Sequence, residues 1–192
     1  KSCKGCHGIY EKAWNNSSIT DYTDKLATSK VWYHEKTPVI DIDTDSYRAK
    51  GMKYFADDLN RLKISKSIGT VVKAQKGYVP PPLVGIWARW PYFHNNSAPS
   101  LYAVLTPASQ RPFSYIAVPS LDRELDFDFV KNGYPAPELV QDKYRKNKEL
   151  RYNARKRGMS NKGHTVMLLD QDGNPKFGHK EKLEIIEFLK TL

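Results

Sequence analysis

The sequence predicts a mainly α fold with long loop insertions and little β structure. Two segments have the apolar spacing of a helix with one buried face. In Tyr47–Leu62, the residues Met52, Phe55 and Leu59 recur at positions i, i+3 and i+7. In Lys180–Leu192, leucine, isoleucine and phenylalanine form one stripe, and Glu and Lys occupy the other side. Gly, Pro, Asn and Ser are spread through the rest of the chain, which favours loops.

The middle of the chain contains residues that interrupt regular structure. Residues 77–100 are dense in Pro, Gly and aromatic side chains. A proline run forces extended or turn backbone, so we expect an ordered loop there, with a short helix near Trp87. Ser100–Leu105 is a candidate helix that Pro107 ends.

The remaining segments have weaker patterns. Residues 8–27 are predicted to be irregular to helical, and Thr37–Thr44 alternates apolar and acidic residues. Within the loops of residues 106–135, Ser114–Val118 is a candidate short strand. Pro137–Arg157 is predicted to contain a basic helix.

Length and charge limit the class of protein. The 192 residues suffice for one domain with a core, and we predict a single domain over residues 1–192. No run approaches the about 20 apolar residues of a membrane span. The formal net charge of +10 favours acidic partners. The densest basic run, Lys143–Arg157, is interpreted as a solvated face or as a docking site for an acidic redox protein, and no nucleic-acid-binding module accompanies it.

The two cysteines determine the chemistry. They lie in the run Cys3-Lys4-Gly5-Cys6-His7, and a C-x-x-C-H run indicates covalent attachment of one haem c. Two thiols at this spacing add across the porphyrin vinyl groups, and the following histidine supplies an imidazole to the iron. A zinc site would need two further ligands at short spacing, which the sequence lacks. The sequence therefore predicts a cytochrome c-like haem domain with Cys3 and Cys6 as attachment residues and His7 as the proximal ligand.

The haem motif also bears on location. Haem c is attached outside the cytoplasm, so we expect a bacterial periplasmic or extracellular protein. The Asn-x-Ser sequons at Asn15, Asn16 and Asn95 then carry no weight as glycosylation sites.

A family resemblance becomes specific at Pro82–Leu101. This run resembles the signature G-x-W-A-x-x-P-Y-x-H-N-G-S-x-P-[ST]-L of di-haem cytochromes related to the bacterial cytochrome c peroxidases and the rubber oxygenases. Leu105–Pro112 and Gly158–His164 look like two further segments of the rubber-oxygenase-like branch. Asn96 replaces the signature glycine, and asparagine tolerates a left-handed backbone better than other non-glycine residues.

The resemblance implies a place within that family. The family carries two C-x-x-C-H motifs and this chain carries one, which matches the C-terminal haem half. In the oxygenases that half looks like the electron-storing haem. The resemblance therefore implies electron transfer, or else part of a di-haem peroxidase or oxygenase, and it identifies no catalytic residue in this chain.

The sixth iron ligand has several candidates. His164 is favoured, because it follows a Gly-, Ser- and Asn-rich loop that permits close backbone approach and because it matches the family's Asn-x-Gly-His. The alternative interpretation is a loop histidine bonded to a carbonyl. His94 resembles a structural histidine near the haem edge. The other alternative ligands are Met52, Met159, Met167 and Tyr78, while His34 and His179 are expected at the surface.

Further side chains are candidates for the haem surroundings. Trp87 and Trp90 are interpreted as pocket wall, with electron relay as the alternative; Tyr92 and Phe93 belong to the same wall. Arg89 and Arg111 are candidates for pairing with haem propionates, with solvent exposure as the alternative for each.

One acidic cluster raises the question of a second metal. The carboxylates of Asp41, Asp43 and Asp45 alternate in a way that suits calcium, but the segment lacks the Gly and terminal Glu of an EF-hand loop. We favour a solvated turn over a calcium site.

The C-terminal amphipathic helix raises the question of a partner. In small c-type cytochromes such a helix packs across a helix that precedes the haem motif. We expect a second haem domain, an N-terminal portion or another chain to cover this face. The chain then represents the C-terminal part of a larger di-haem protein or complex.

Three functional hypotheses follow. The first is a hexacoordinate haem, ligated by His7 and His164, that transfers single electrons to a neighbouring haem or redox partner. The second is part of a haem-dependent peroxidase or dioxygenase with an open iron site. The third is a sensory or structural haem domain, which no residue specifically supports.

Overall fold

The computed structural model describes residues 3–12, 17–18, 20–21, 29–33 and 38–192. Most of this part of the chain is turn and loop, and helices outweigh strands, as predicted. The α-helices are α1 (Lys4–His7), α2 (Tyr47–Arg61), α3 (Lys63–Ser67), α4 (Leu101–Val104), α5 (Asp142–Arg145) and α6 (His179–Lys190). Single 3-10 turns lie at Ile86–Ala88, Ala108–Gln110, Pro137–Leu139, Lys148–Leu150 and Val166–Leu168.

The strands form two small antiparallel hairpin-like sheets. β1 (Ile9–Lys12) pairs with β2 (Ser29–Trp32), with Ile9 opposite Trp32. β3 (Ser114–Ile116) pairs with β4 (Arg151–Asn153), with Ser114 opposite Asn153. The strand predicted at Ser114–Val118 is therefore confirmed, whereas the irregular-to-helical prediction for residues 8–27 is wrong at β1.

The main core lies where α6 packs against α4. Ile186 and Leu189 of α6 are buried against Leu101, Ala103 and Leu105. The predicted C-terminal helix is confirmed, and part of its apolar face is covered by this same chain. A partner that covers the remainder stays a prediction.

The helix predicted at Ser100–Leu105 is confirmed as α4, and the residues at its two ends limit its length. The Ser100 hydroxyl accepts a hydrogen bond from the Ala103 N–H at 3.2 Å, which caps the first turn. Pro107 ends the segment with an extended backbone, ψ 146°. The result is a single, well-defined turn, α4, one face of which reaches the cavity described below.

Helix α2 matches its predicted bounds, but its apolar face is not buried as predicted. Phe55 is 62% exposed and Leu59 36% exposed; the only buried residue of α2 is Ala56. The helical spacing correctly predicts the element, but it does not specify what the face packs against.

The basic helix predicted within Pro137–Arg157 is confirmed as a short one, α5, which contains Lys143 and Arg145. The rest of the segment forms two 3-10 turns and β4. Tyr152 of β4 stacks on Tyr115 of β3, with ring centres 4.9 Å apart. This pairing with a distant strand overrides the local helical tendency. The cationic side chains remain exposed.

No helix in the described part of the chain is both long and apolar enough to cross a membrane.

Candidate haem site

A cavity of about 650 Å³ lies between α1, the proline-rich loop of residues 77–100, α4 and α6. Its walls are mostly apolar, and both cysteines and three of the histidines line it. The apolar lining comprises Ile9, Ile40, Ile42, Val79, Pro80, Pro81, Leu83, Ile86, Pro91, Leu101, Val104, Leu105, Met167, Ile185, Phe188, Leu189 and Leu192. A cavity of this size and polarity suits a large flat apolar group with a few polar substituents.

The C-x-x-C-H run forms one helical turn at the cavity mouth. The His7 N–H donates to the Cys3 carbonyl at 2.9 Å, so the turn brings both cysteines and His7 to the same wall. Cys3 is exposed and Cys6 is buried. Gly8 ends the turn with φ +88°, and a Cβ at this position would meet the Trp32 carbonyl oxygen at 2.6 Å. A glycine is therefore required where the chain passes from α1 into β1.

The ring of His7 is oriented by the proline-rich loop. Its Nδ1 lies 2.8 Å from the Pro81 carbonyl oxygen, which only accepts hydrogen bonds, so Nδ1 carries the proton. The other ring nitrogen then has a lone pair available. This arrangement, in which a backbone carbonyl fixes the tautomer, is typical of metal-binding histidines.

Tyr10 connects the same two segments and was not singled out from the sequence. Its hydroxyl donates to the His7 carbonyl at 2.8 Å and accepts from the Leu83 N–H. Burial raises the pKa of Tyr10. A tyrosine three residues after the haem motif gives no local signal of this role, because its partner Leu83 is distant in sequence.

His164 faces His7 across the cavity. The centres of the two imidazole rings are 6.3 Å apart, with an angle of 64° between the ring planes. Two imidazoles bonded at about 2.0 Å to opposite sides of one metal ion have ring centres about 6 Å apart. The spacing therefore fits one shared iron.

The surroundings of His164 keep it neutral. Burial, and then the nearby His7 ring and the charge of Arg111, lower the pKa of His164 to about 4, against a hydrogen bond to the Val104 carbonyl that raises it. Its Nδ1 is buried without a hydrogen-bond partner among the described residues. A neutral, incompletely bonded imidazole is the form that binds a metal.

Two further polar atoms at the cavity wall are buried without a partner in the described part of the chain. These are the Tyr78 hydroxyl and His94 Nδ1. The two rings stack, with centres 5.0 Å apart. Burial, and then the charge of Arg48, lower the pKa of His94. Buried polar atoms of this kind need a partner, and the carboxylates of a haem would supply acceptors for both.

The other predicted ligands differ in where they lie. Met167 lines the cavity, whereas Met52 and Met159 are not among the lining residues. His179 is exposed and contacts the Tyr102 hydroxyl at 3.0 Å. His34 lies outside the described residues.

Only two of the four aromatic residues predicted to form the pocket wall line the cavity. Tyr92 and Phe93 line the cavity, and the Tyr92 hydroxyl accepts from the Asn132 amide at 2.8 Å. Trp87 and Trp90 lie away from it. Trp90 instead packs between Phe127 and Tyr134, with ring centres at 5.2 and 4.8 Å.

The two arginines predicted near the propionates also differ in where they lie. Arg89 lines the cavity, so pairing with a propionate stays a prediction for it. Arg111 does not line the cavity and is 2% exposed, so the solvent-exposed interpretation is wrong. Its guanidinium faces backbone carbonyls of two loops instead of an open wall. The isolated arginine in the sequence gave no indication of this environment.

Two aspartates of the acidic cluster accept hydrogen bonds from backbone N–H groups. Asp41 accepts from the Asp43 N–H at 3.1 Å, and Asp45 accepts from the Tyr47 and Ser160 N–H groups at 2.9 and 3.2 Å. The described residues contain no group of three or more His, Cys, Asp or Glu side chains that could hold a metal ion. Haem iron needs only two side-chain ligands, since the porphyrin supplies the rest.

Comparison with known proteins finds curated relatives and one matching family model. Two curated relatives come from Sinorhizobium fredii (strain NBRC 101917 / NGR234). Uncharacterized protein y4iJ is 35% identical over 123 residues, which cover 63% of this chain and 19% of that protein. Uncharacterized protein y4iM is 36% identical over 128 residues, which cover 62% of this chain and 28% of that protein. The chain thus spans less than a third of either relative.

A family model described as RoxA-like, cytochrome c-like, matches residues 77–116. The matched segment contains the Pro82–Leu101 signature, including Asn96, whose φ of +61° is the left-handed conformation predicted for it. The family resemblance is therefore confirmed at residues 77–116, which form a RoxA-like, cytochrome c-like segment.

Proposed function

We propose that this chain holds one covalent haem c with His7 and His164 as axial ligands and transfers single electrons through it. The observation that carries the proposal is the pair of imidazoles on opposite walls of one apolar cavity, with ring centres 6.3 Å apart. The RoxA-like, cytochrome c-like segment at residues 77–116 supports haem-based electron transfer in general terms.

The attachment residues are Cys3 and Cys6. Each thiol would add its S–H across one vinyl group, so each sulfur gains a bond to carbon and no oxidant is needed. Because α1 is a single helical turn, it presents both thiols and His7 at the cavity wall. The bound haem would supply one-electron iron chemistry.

The remaining wall residues would bind the polar edge of the porphyrin. Tyr78 and His94 have buried, unsatisfied atoms at the wall, and Arg89 contributes a positive charge there. We assign these three to the propionates. The apolar remainder, including Phe188 and Leu189 of α6, would exclude water from the ring.

Two axial histidines favour electron transfer over catalysis. With both positions filled, oxygen or peroxide has no open site on the iron. We therefore place the chain as an electron-transfer unit of a larger protein, with the neighbouring haem or an acidic redox protein as its partner and the periplasm or cell exterior as its location.

The test compares protein purified with haem attached with its His164→Ala variant. The original protein should have a low-spin spectrum in both oxidation states and should not bind carbon monoxide. His164→Ala should become high-spin and bind carbon monoxide rapidly. His179→Ala is the matched control, because His179 is exposed and away from the cavity. A His164→Ala protein that stays low-spin and inert would refute the assignment.

A further inference from the structure

Arg111 is a buried cation that the proposed electron-transfer role does not use directly. It is 2% exposed, and it forms no ion pair among the described residues. Burial lowers its pKa to about 10, so it remains charged at neutral pH. A buried, unpaired charge is costly unless its hydrogen bonds are satisfied, so its position requires an explanation.

One side of the guanidinium binds the end of α4. Its Nε–H is shared between the Ala103 and Thr106 carbonyls, at 2.9 and 2.7 Å. The last carbonyls of a helix have no partner within the helix, so a cation there is favourable. The first anchor of Arg111 is therefore a fixed element that also lines the haem cavity.

The other side binds the loop that leads into His164. Nη1 donates to the Asn161 carbonyl at 2.6 Å and to the Gly163 carbonyl at 2.8 Å. One side chain thus joins the cavity-lining helix to the residue immediately before the distal histidine. No other cationic side chain among the described residues donates to both segments.

The backbone at His164 needs such a restraint. His164 has φ +60°, which is unfavourable for a residue with a Cβ. Gly163 has φ +106° and packs directly on the Thr44 backbone. Strained conformations persist only where the surroundings hold them in place. Arg111 supplies two of the hydrogen bonds that do so, and the Ile42 carbonyl supplies another at 2.9 Å from the His164 N–H.

The charge of Arg111 also lies against the haem cavity. Its guanidinium carbon lies 4.9 Å from the centre of the Phe93 ring, which lines the cavity beside His164. Because Arg111 is buried, salt screens its charge only weakly. An unpaired positive charge so placed favours the iron state with less positive charge.

We propose that Arg111 is the positioning residue of the distal ligand: it clamps the 161–163 loop to α4 so that His164 stays on the iron, and its charge stabilises ferrous over ferric haem. The inference rests on the proposed ligation by His164. It adds a residue whose removal weakens the distal bond and lowers the reduction potential without touching the iron.

The test uses the haem-loaded protein with Arg111→Gln, Arg111→Lys and, as matched control, Thr165→Val. Thr165 donates to the same Gly163 carbonyl at 3.3 Å and accepts from the Ala108 N–H at 3.1 Å, but it carries no charge. Carbon monoxide binding to the ferrous protein, the low-spin fraction and the reduction potential are measured for each. Arg111→Gln should bind carbon monoxide at least tenfold faster than the original protein and have a more negative potential.

Arg111→Lys should keep most of the potential, because the charge remains, but should bind carbon monoxide faster, because an ammonium cannot bridge both loops. Thr165→Val should keep the potential of the original protein, because no charge is lost, and should change carbon monoxide binding much less than Arg111→Gln does. Added guanidinium ion should restore the low-spin fraction of Arg111→Gln, whereas sodium at equal ionic strength should not. If Arg111→Gln yields no haem-loaded protein, the two contrasting effects of Arg111→Lys carry the test.

The failures are distinguishable. An original protein that is already high-spin would overturn the ligation by His164. A low-spin original protein whose Arg111 variants keep its carbon monoxide inertness and potential would overturn only the role of Arg111.

Discussion

The two histidine segments of the cavity are built in opposite ways. His7 lies in a local helical turn, α1, and its ring is fixed by one hydrogen bond to the Pro81 carbonyl. His164 lies in an irregular loop with a left-handed backbone, held by Arg111, Ile42 and Thr44 from other parts of the chain. The backbone of the proximal side therefore depends on short-range sequence and only its ring orientation on a distant carbonyl, whereas the backbone of the distal side itself depends on tertiary contacts.

The largest effect should come from the proximal side. Replacing both thiols, Cys3→Ser with Cys6→Ser, should abolish covalent haem, because no thioether can form. Haem staining after denaturing electrophoresis measures this. His164→Ala should retain the stain, since its haem remains attached. Staining of the doubly substituted protein would show that the C-x-x-C-H run is not the attachment site.

The next largest effect tests how the distal loop packs against Thr44. A Cβ at residue 163 would lie 2.3 Å from Thr44 Cγ2 and 2.9 Å from Thr44 Cα, so Gly163→Ala must displace the loop. We expect a loss of about 3 kcal/mol in the free energy of unfolding. Gly173→Ala is the control, because Gly173 has φ +82° but open space around it. It should lose only about 1 kcal/mol.

Denaturant unfolding of both variants gives these values. Equal losses would mean that backbone conformation alone, without packing against Thr44, determines the cost. In that case the distal loop would not be held by the segment around Thr44, and the contrast between the two sides would weaken.

A smaller effect concerns Tyr152, which supports the segment before His164. Its hydroxyl lies 2.9 Å from both the Asn95 and the Met159 carbonyls, so Tyr152→Phe should cost about 1 kcal/mol of stability. Tyr54→Phe is the control, because Tyr54 is 81% exposed. Chemical denaturation at pH 7 distinguishes the two.

Tyr152 also predicts a pH dependence. Burial raises the pKa of Tyr152 from 10.0 to about 12. Above pH 10 the unfolded chain releases a proton that the folded chain retains, so stability falls as the pH rises from about 10 towards 12. Tyr152→Phe should reduce this slope. An unchanged slope would assign the alkaline loss to other tyrosines.

The smallest effect tests the basic run Lys143–Arg157 as a docking site. Lys146 and Lys148 are exposed, and the net charge of +10 should draw anionic reagents. Oxidation of the reduced protein by ferricyanide should slow severalfold when both lysines become glutamate, and the difference should shrink at high salt. Lys63→Glu with Lys66→Glu is the control on α3. Equal slowing would mean that net charge, and not this face, matters.

What the sequence predicted depends on the same difference between short-range and long-range contacts. The haem motif, α6 and the short helix after Ser100 depend on neighbouring residues, so local patterns sufficed. The contacts of Arg111 with the 161–163 loop and of Tyr10 with Leu83 join residues 50 or more positions apart, and no spacing rule reports them. The helix expected in Pro137–Arg157 is confined to α5, because residues further along pair with β3, which is also a long-range effect.

His164 is the instructive intermediate case. The glycine beside it and the family resemblance singled it out, but only the fold places its ring 6.3 Å from that of His7. For α2, the sequence predicted the helix and missed the exposure of its apolar face, because burial depends on a neighbour that periodicity does not specify.

The most direct test of this account is the near-infrared magnetic circular dichroism of the ferric protein, which distinguishes axial ligand pairs. Two histidines on one low-spin iron should give the charge-transfer band of bis-imidazole ligation. A band of histidine–methionine ligation, or a high-spin spectrum, would contradict the placement of His7 and His164 on the same iron.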